Sequence, residues 1–159
     1  MNYKPFSKED YIKADIKAKQ EAVSFLISSN EFKMIKPLLE QDEHYKEYDF
    51  EIFSHLLNRT IFVETEVKHV WTNTERWQGY NTIDIPYHKK DSKADLFIMF
   101  NKHFNVLQSL KMETILKSAV KTKNCKCSSV NTKMEKFFAV SVKEACFFKN
   151  TAFGWIAVE

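Results

Sequence analysis

The sequence predicts an α/β fold, a single domain in which helices flank a mixed central β-sheet. Three observations carry that expectation. Apolar residues recur at helical spacing over residues 8–28, at Ile12, Ile16, Ala22, Val23, Leu26 and Ile27. Residues 45–53 and 60–70 alternate with period two, as half-buried strands do. Residues 94–100 form a nearly continuous apolar run, the pattern of a strand covered on both faces.

The elements follow in order. Ser7, with Asp10 three positions on, has the spacing of a capping box and should start the first helix. Lys19 is the one interruption of its apolar face, and Asn30 is a plausible stop. Residues 31–41 read as a shorter helix or turn broken at Pro37. The strand 45–53 puts Tyr48, Phe50 and Ile52 on one face and Asp49, Glu51 and Phe53 on the other. A turn over 54–59 makes 60–70 its hairpin partner. Residues 71–79 read as a polar loop, 82–86 as a short strand ended by Pro86, and 88–93 as a charged loop. After the buried strand comes a short strand at 105–109. A helix is expected over 110–120, with Ile115, Leu116 and Ala119 inward. Residues 122–133 are polar and expected to be the least ordered. A strand and turn over 136–148 and an apolar tail over 153–158 complete one domain spanning 1–159.

The bulk numbers narrow the function. A chain of 159 residues that is 44% hydrophobic and 14% aromatic can bury a core, which excludes a disordered protein. A net charge of +3 excludes a bulk polycation, so any nucleic-acid contact must come from local clusters. Three Cys, an odd number, fit a reducing compartment and a cytoplasmic protein. Neither a signal peptide nor a membrane-length apolar run is apparent, so no membrane partner is expected. Arg occurs only at Arg59 and Arg76 against many Lys, which fits the codon usage of an AT-rich genome such as a phage's. The compartment would then be the host cytoplasm.

The most informative segment is Phe62-Val63-Glu64-Thr65-Glu66-Val67-Lys68. As a strand it sets Glu64, Glu66 and Lys68 in one row, with neighbours roughly 6–7 Å apart, and Val63, Thr65 and Val67 on the opposite face. Carboxylates at that spacing suit a hard divalent cation, and an ammonium beside them suits a phosphate. Alternatively the row is a solvated edge strand protected by its charges. A second cluster interleaves cations and aromatics: Trp71, Arg76, Trp77 and Tyr80 before the strand 82–86, and Tyr87, His88, Lys89 and Lys90 after it. That mixture suits backbone contacts with base stacking. Cys125-x-Cys127 with Cys146 lacks the paired spacing of a zinc site, and the absence of a glycine-rich loop argues against an NTPase.

An acid on one strand and acid-x-lysine on its hairpin partner, after a helix, resembles the PD-(D/E)xK nuclease superfamily. The resemblance covers about residues 8–148 and implies a restriction-endonuclease-like sandwich. Asp49 matches the first-strand acid, although Tyr48 replaces the proline that gives the motif its name. Glu66-Val67-Lys68 matches the tripeptide, and Glu21, with Asp15 second, matches the acid some members carry on the first helix. Glu51 and Glu64 share those strand faces and could replace Asp49 and Glu66. The resemblance implies a nuclease hydrolysing DNA with Mg²⁺ or Mn²⁺ held by Asp49, Glu66 and Glu64. Asp49, Glu66, Lys68 and Glu21 would be catalytic, and Arg76, Trp77, His88, Lys89 and Lys90 would hold nucleic acid. A dimer or a larger nucleoprotein complex is expected with it. The alternative is a catalytically inactive module that binds nucleic acid or protein.

Overall fold

Ser7 caps the first helix: its Oγ accepts the Asp10 amide at 3.2 Å, and α1 runs Lys8–Ile27. The computed structural model of the chain describes residues 7–38, 41, 47–126 and 132–159. Ala18, Ala22 and Leu26 are buried along one stripe of α1, the i, i+4, i+8 spacing that a helix lays on a sheet. Small residues at two of those positions let the helix axis approach closely.

That sheet has seven strands in the order β1-β2-β3-β5-β6-β9-β10. They are β1 (Phe32–Lys33), β2 (Phe50–Ser54), β3 (Arg59–Lys68), β5 (Leu96–Asn101), β6 (Val106–Lys111), β9 (Cys146–Thr151) and β10 (Gly154–Val158). It curls into a half-barrel. A three-stranded sheet, β4-β8-β7, comprises β4 (Thr82–Pro86), β7 (Ala119–Lys126) and β8 (Thr132–Ser141). The one other α-helix among the described residues is the short α2 (Met112–Leu116).

Two cores lie on opposite faces of the large sheet. Phe50, Ile52, Ile61, Val63, Ile98 and Phe100 pack with α1. Phe97, Met99 and Leu110 point the other way and meet Ile83, Ile85, Phe138 and Val140 of the small sheet. β5 feeds both cores, which is why its sequence is an unbroken apolar run. Each fully buried large apolar side chain contributes roughly 1.5–3 kcal/mol, so these cores are the main source of stability. Trp155 on β10 closes the first core against Phe25 and Phe100.

The expected helix-flanked α/β sandwich is therefore corrected: 45% of the described residues are in strands against 24% in helices. Residues 110–120 do not make one helix. Leu110 and Lys111 finish β6, a single helical turn buries Met112 and Ile115, and Ala119 already starts β7. Strand end and turn together imitate helical spacing. Residues 32–33 form an edge strand on β2 rather than a helix. Residues 122–126, where little order was expected, belong to β7 and pair with β8 as a hairpin. β3 and β5 are parallel neighbours, but the chain between them passes through β4 in the other sheet instead of a helix.

Candidate functional site

β2 begins late, and this builds the site. Its pairing with β3 stops at Phe50 opposite Val63, so Glu64–Lys68 has β5 on one side and no β2 residue on the other. Asp49 fills the first gap: its Oδ2 accepts the Thr65 amide at 2.6 Å and the Thr65 hydroxyl at 2.8 Å. A cleft of about 430 Å³ opens at this notch. Tyr11, Asp15 and Lys19 of α1 line one wall, Asp49, Glu64 and Thr65 the floor, and His88, Lys89, Asp91 and Ser92 the opposite wall. The second wall is the 3-10 turn Tyr87–Asp91 with the residue that follows it.

The electrostatics centre on Lys89. Its ammonium is ion-paired with Glu64, and both side chains are largely shielded from water. Ser92 Oγ lies 3.3 Å from the other Glu64 oxygen. Burial alone would lower the Lys89 ammonium. The charge and hydrogen bond of Glu64, with the charges of Glu66 and Asp49, outweigh it and hold Lys89 above the usual lysine range. Burial raises the Asp49 carboxyl and Glu64 pushes the same way, against the Thr65 hydrogen bonds and Lys19. Lys19 sits 3.0 Å from Asp15 and 3.9 Å from Asp49. Burial also raises Glu66, opposed by Lys89 and Lys68 and reinforced by Glu64 and Asp49. Burial lowers His88, with Lys89 adding to the effect.

The Glu64–Glu66–Lys68 row does lie on one face, the face toward the small sheet, but its ends serve different cavities. Glu64 lines the cleft. Lys68 lines a second cavity of about 270 Å³ with Trp77 and Asp84, its Nζ donating to the Asp84 carbonyl at 3.2 Å. Glu66 lies between them. Burial lowers the Lys68 ammonium, while Glu66 and Asp84 pull it back up.

The remaining candidates divide. Asp15 lines the cleft and Glu21 does not; three residues from Ala18 in the opposite sense to Asp15, it falls on the other flank of α1. Glu51 is likewise absent from the cleft, and its amide is held by Gln41 Oε1 at 2.8 Å. Arg76 and Lys90 are exposed, Lys90 with its Nζ 5.3 Å from the Tyr87 ring centroid. Trp77 belongs to the second cavity. His44, which precedes the strand 45–53 and is by sequence a candidate neighbour of the metal site, and Cys127 lie outside the described residues. Sequence reasoning missed Thr65, assigned to the opposite strand face, and Lys19, whose signal was its interruption of an apolar helix face.

Asp49, Glu64 and Glu66 offer the hard oxygen donors that Mg²⁺ or Mn²⁺ takes, and Asp49 Oδ1 is not used by Thr65. Among the described residues, no three His, Cys, Asp or Glu side chains are grouped closely enough to hold one ion as they stand. The same residues include no helix long and apolar enough to cross a membrane. No family model, no curated protein and no solved structure matches the chain.

Proposed function

We propose that the cleft hydrolyses nucleic-acid phosphodiester bonds, DNA being the expected substrate, with Mg²⁺ or Mn²⁺ held by Asp49, Glu64 and Glu66. One observation carries the reading: three carboxylates from two segments direct their charge at a single position, the Lys89 ammonium. A point where three carboxylate fields meet favours a cation, and occupancy by a metal needs Lys89 to withdraw and the acids to close in. When bound, such an ion supplies charge neutralisation at phosphorus and a more acidic water.

The protein's own groups do the rest. Lys19 and His88 bring donors to the cleft walls, where a phosphate oxygen would sit. Thr65 fixes Asp49 by two hydrogen bonds, which presents its other oxygen to the cleft. Lys68, next along the row from Glu66, stabilises negative charge gathering on the phosphate in the transition state. In the net reaction water adds to phosphorus, a P–O ester bond breaks, and the proton ends on the leaving oxygen or the solvent. A cytoplasmic location, in a host cell if the source is a phage, and a dimeric or nucleoprotein assembly belong to the same reading.

The second reading is a domain that binds nucleic acid or protein without turnover. What favours it is that Lys89 already neutralises Glu64, leaving less demand for a metal. The deciding experiment is calorimetric titration with Mn²⁺ on the parental and Asp49→Asn proteins, beside cleavage assays on single-stranded, duplex and branched DNA. Asn retains an acceptor for Thr65 while removing the charge. Metal binding and cleavage that both fail in Asp49→Asn support the nuclease. Unchanged Mn²⁺ binding would remove Asp49 from the ligand set, and a parental protein that cleaves nothing favours the binding module.

A further inference from the structure

The second cavity is built differently from the cleft, and the metal reading does not use it. Its floor is Trp71, 1% exposed, with Trp77 edge-on to it at 5.0 Å between ring centroids. The polar atom of each indole is already engaged: Trp71 Nε1 donates to the Arg76 carbonyl at 2.9 Å and Trp77 Nε1 to the Tyr80 carbonyl at 3.0 Å. What remains for a ligand is the ring face of half-buried Trp77. Gly79 passes so close to the Trp77 ring that a Cβ there would fall 2.2 Å from it. Gln78 braces the loop, its Oε1 accepting from the Thr72 and Asn73 amides and its Nε2 donating to the Val70 carbonyl. The aromatic platform is thus held in place before anything binds.

The rim is cationic and aromatic. Tyr80 is 91% exposed, so its ring is open to a ligand. Lys68 Nζ stands 5.8 Å from the Trp77 ring centroid, and Lys123 lines the same cavity, paired with Asp84 at 2.6 Å. Planar rings flanked by ammonium groups select a planar ligand that carries negative charge nearby.

We infer that this cavity receives one unpaired nucleobase of a single-stranded nucleic acid, stacked against Trp77 and Tyr80, with the adjoining phosphate met by Lys123. The choice of ligand rests on the nucleic-acid reading of the cleft. The cavity begins beside Lys68, two residues along β3 from Glu66 and about 7 Å at strand rise, so the stacked base would lie about one to two nucleotides from the scissile phosphate. A base already stacked in a duplex cannot occupy the cavity, so single-stranded or locally opened substrates are favoured over intact duplex.

The test is fluorescence anisotropy with an end-labelled oligothymidylate and a blunt duplex of the same length, in EDTA so that hydrolysis cannot intervene. The parental protein should prefer the single strand. Trp77→Leu should bind it at least about fivefold more weakly, with partial recovery in Trp77→Phe, because one stacked base contributes on that scale. Tyr80→Ala alters an exposed side chain, leaves the loop bonds intact and should weaken binding in the same direction, which covers a misfolded Trp77 variant. Parental affinity in both Trp77→Leu and Tyr80→Ala, or equal parental affinity for duplex and single strand, would overturn the inference. If that result came with Mg²⁺-dependent cleavage by the parental protein, the cleft reading would survive alone. A parental protein that neither binds nor cleaves any DNA would overturn both.

Discussion

Lys89 and Glu64 form an ion pair whose side chains are only 15% and 12% exposed, in the middle of a cleft that also holds Asp49. Such a pair gains little net stability over an apolar pair, yet removing one partner leaves an uncompensated charge. Lys89 is therefore both the counter-charge of the acids and the competitor of any metal.

This gives the first prediction. Lys89→Met should destabilise the protein by about 3 kcal/mol at neutral pH, the usual cost of orphaning a buried partner. Millimolar Mn²⁺ should restore much of that loss, because an ion that binds the folded state alone stabilises it by mass action. Thermal melts of both proteins with and without Mn²⁺ measure it. A Lys89→Met protein that Mn²⁺ does not stabilise would count against a metal at this position.

A second expectation concerns pH. Burial holds Glu66 above the ordinary carboxylate range, with Glu64 and Asp49 adding and Lys89 and Lys68 opposing. A carboxyl whose folded pKa exceeds its unfolded pKa contributes stability below the unfolded value and loses it as pH rises through the folded one. Glu66→Gln removes that titration. Its urea-unfolding midpoint should vary less than the parental one between about pH 4 and about pH 8, and should be the higher of the two at neutral pH. Parallel curves would show that Glu66 is not destabilised as an anion.

Much of this site was legible in the sequence because its parts are local. Period-two alternation placed Glu64, Glu66 and Lys68 in one row, and Ser7 with the 8–28 periodicity placed α1 to within a residue. The small sheet was not legible. β4 reads as a strand, but its partner β8 pairs Ile83 with Val140 across 57 positions, and no local pattern carries that contact. The cleft depends on where β2 begins: Asp49, just before it, still donates its amide to the Val63 carbonyl at 2.9 Å but turns its side chain onto Thr65. Nor does the alternation of β3 reveal that its row runs from one cavity to another, since the Tyr87–Asp91 turn covers one end and the Trp77 loop the other.

Salt dependence separates the basic residues by position. Lys90 is exposed on the turn beside the cleft, whereas the Lys89 charge is spent on Glu64. If Lys90 meets a DNA phosphate, Lys90→Ala should lower the slope of log affinity against log salt by about 0.7–0.9. The same change at exposed Arg76 should act independently. Titrations at several salt concentrations in EDTA give the slopes. An unchanged slope in Lys90→Ala would take the turn out of the interface.

The last prediction concerns Lys68, whose ammonium stands between Glu66 and the Asp84 carbonyl. If it only balances Glu66, its loss should shift stability and leave turnover alone. If it stabilises charge on the reacting phosphate, Lys68→Met should fold and bind Mn²⁺ yet cleave about 100-fold more slowly, the scale of losing one electrostatic catalytic group. Met is chosen over Ala because it keeps the apolar stem against Trp77 and spares the second cavity. Its burial-lowered pKa adds a signature, since the parental rate should fall as pH rises and the ammonium deprotonates, with the fall starting below the usual lysine range. The Lys68→Met protein should lack that limb of the profile. Single-turnover cleavage across pH supplies both readouts, and a folded variant that keeps the parental rate and profile would leave Lys68 as a counter-ion to Glu66.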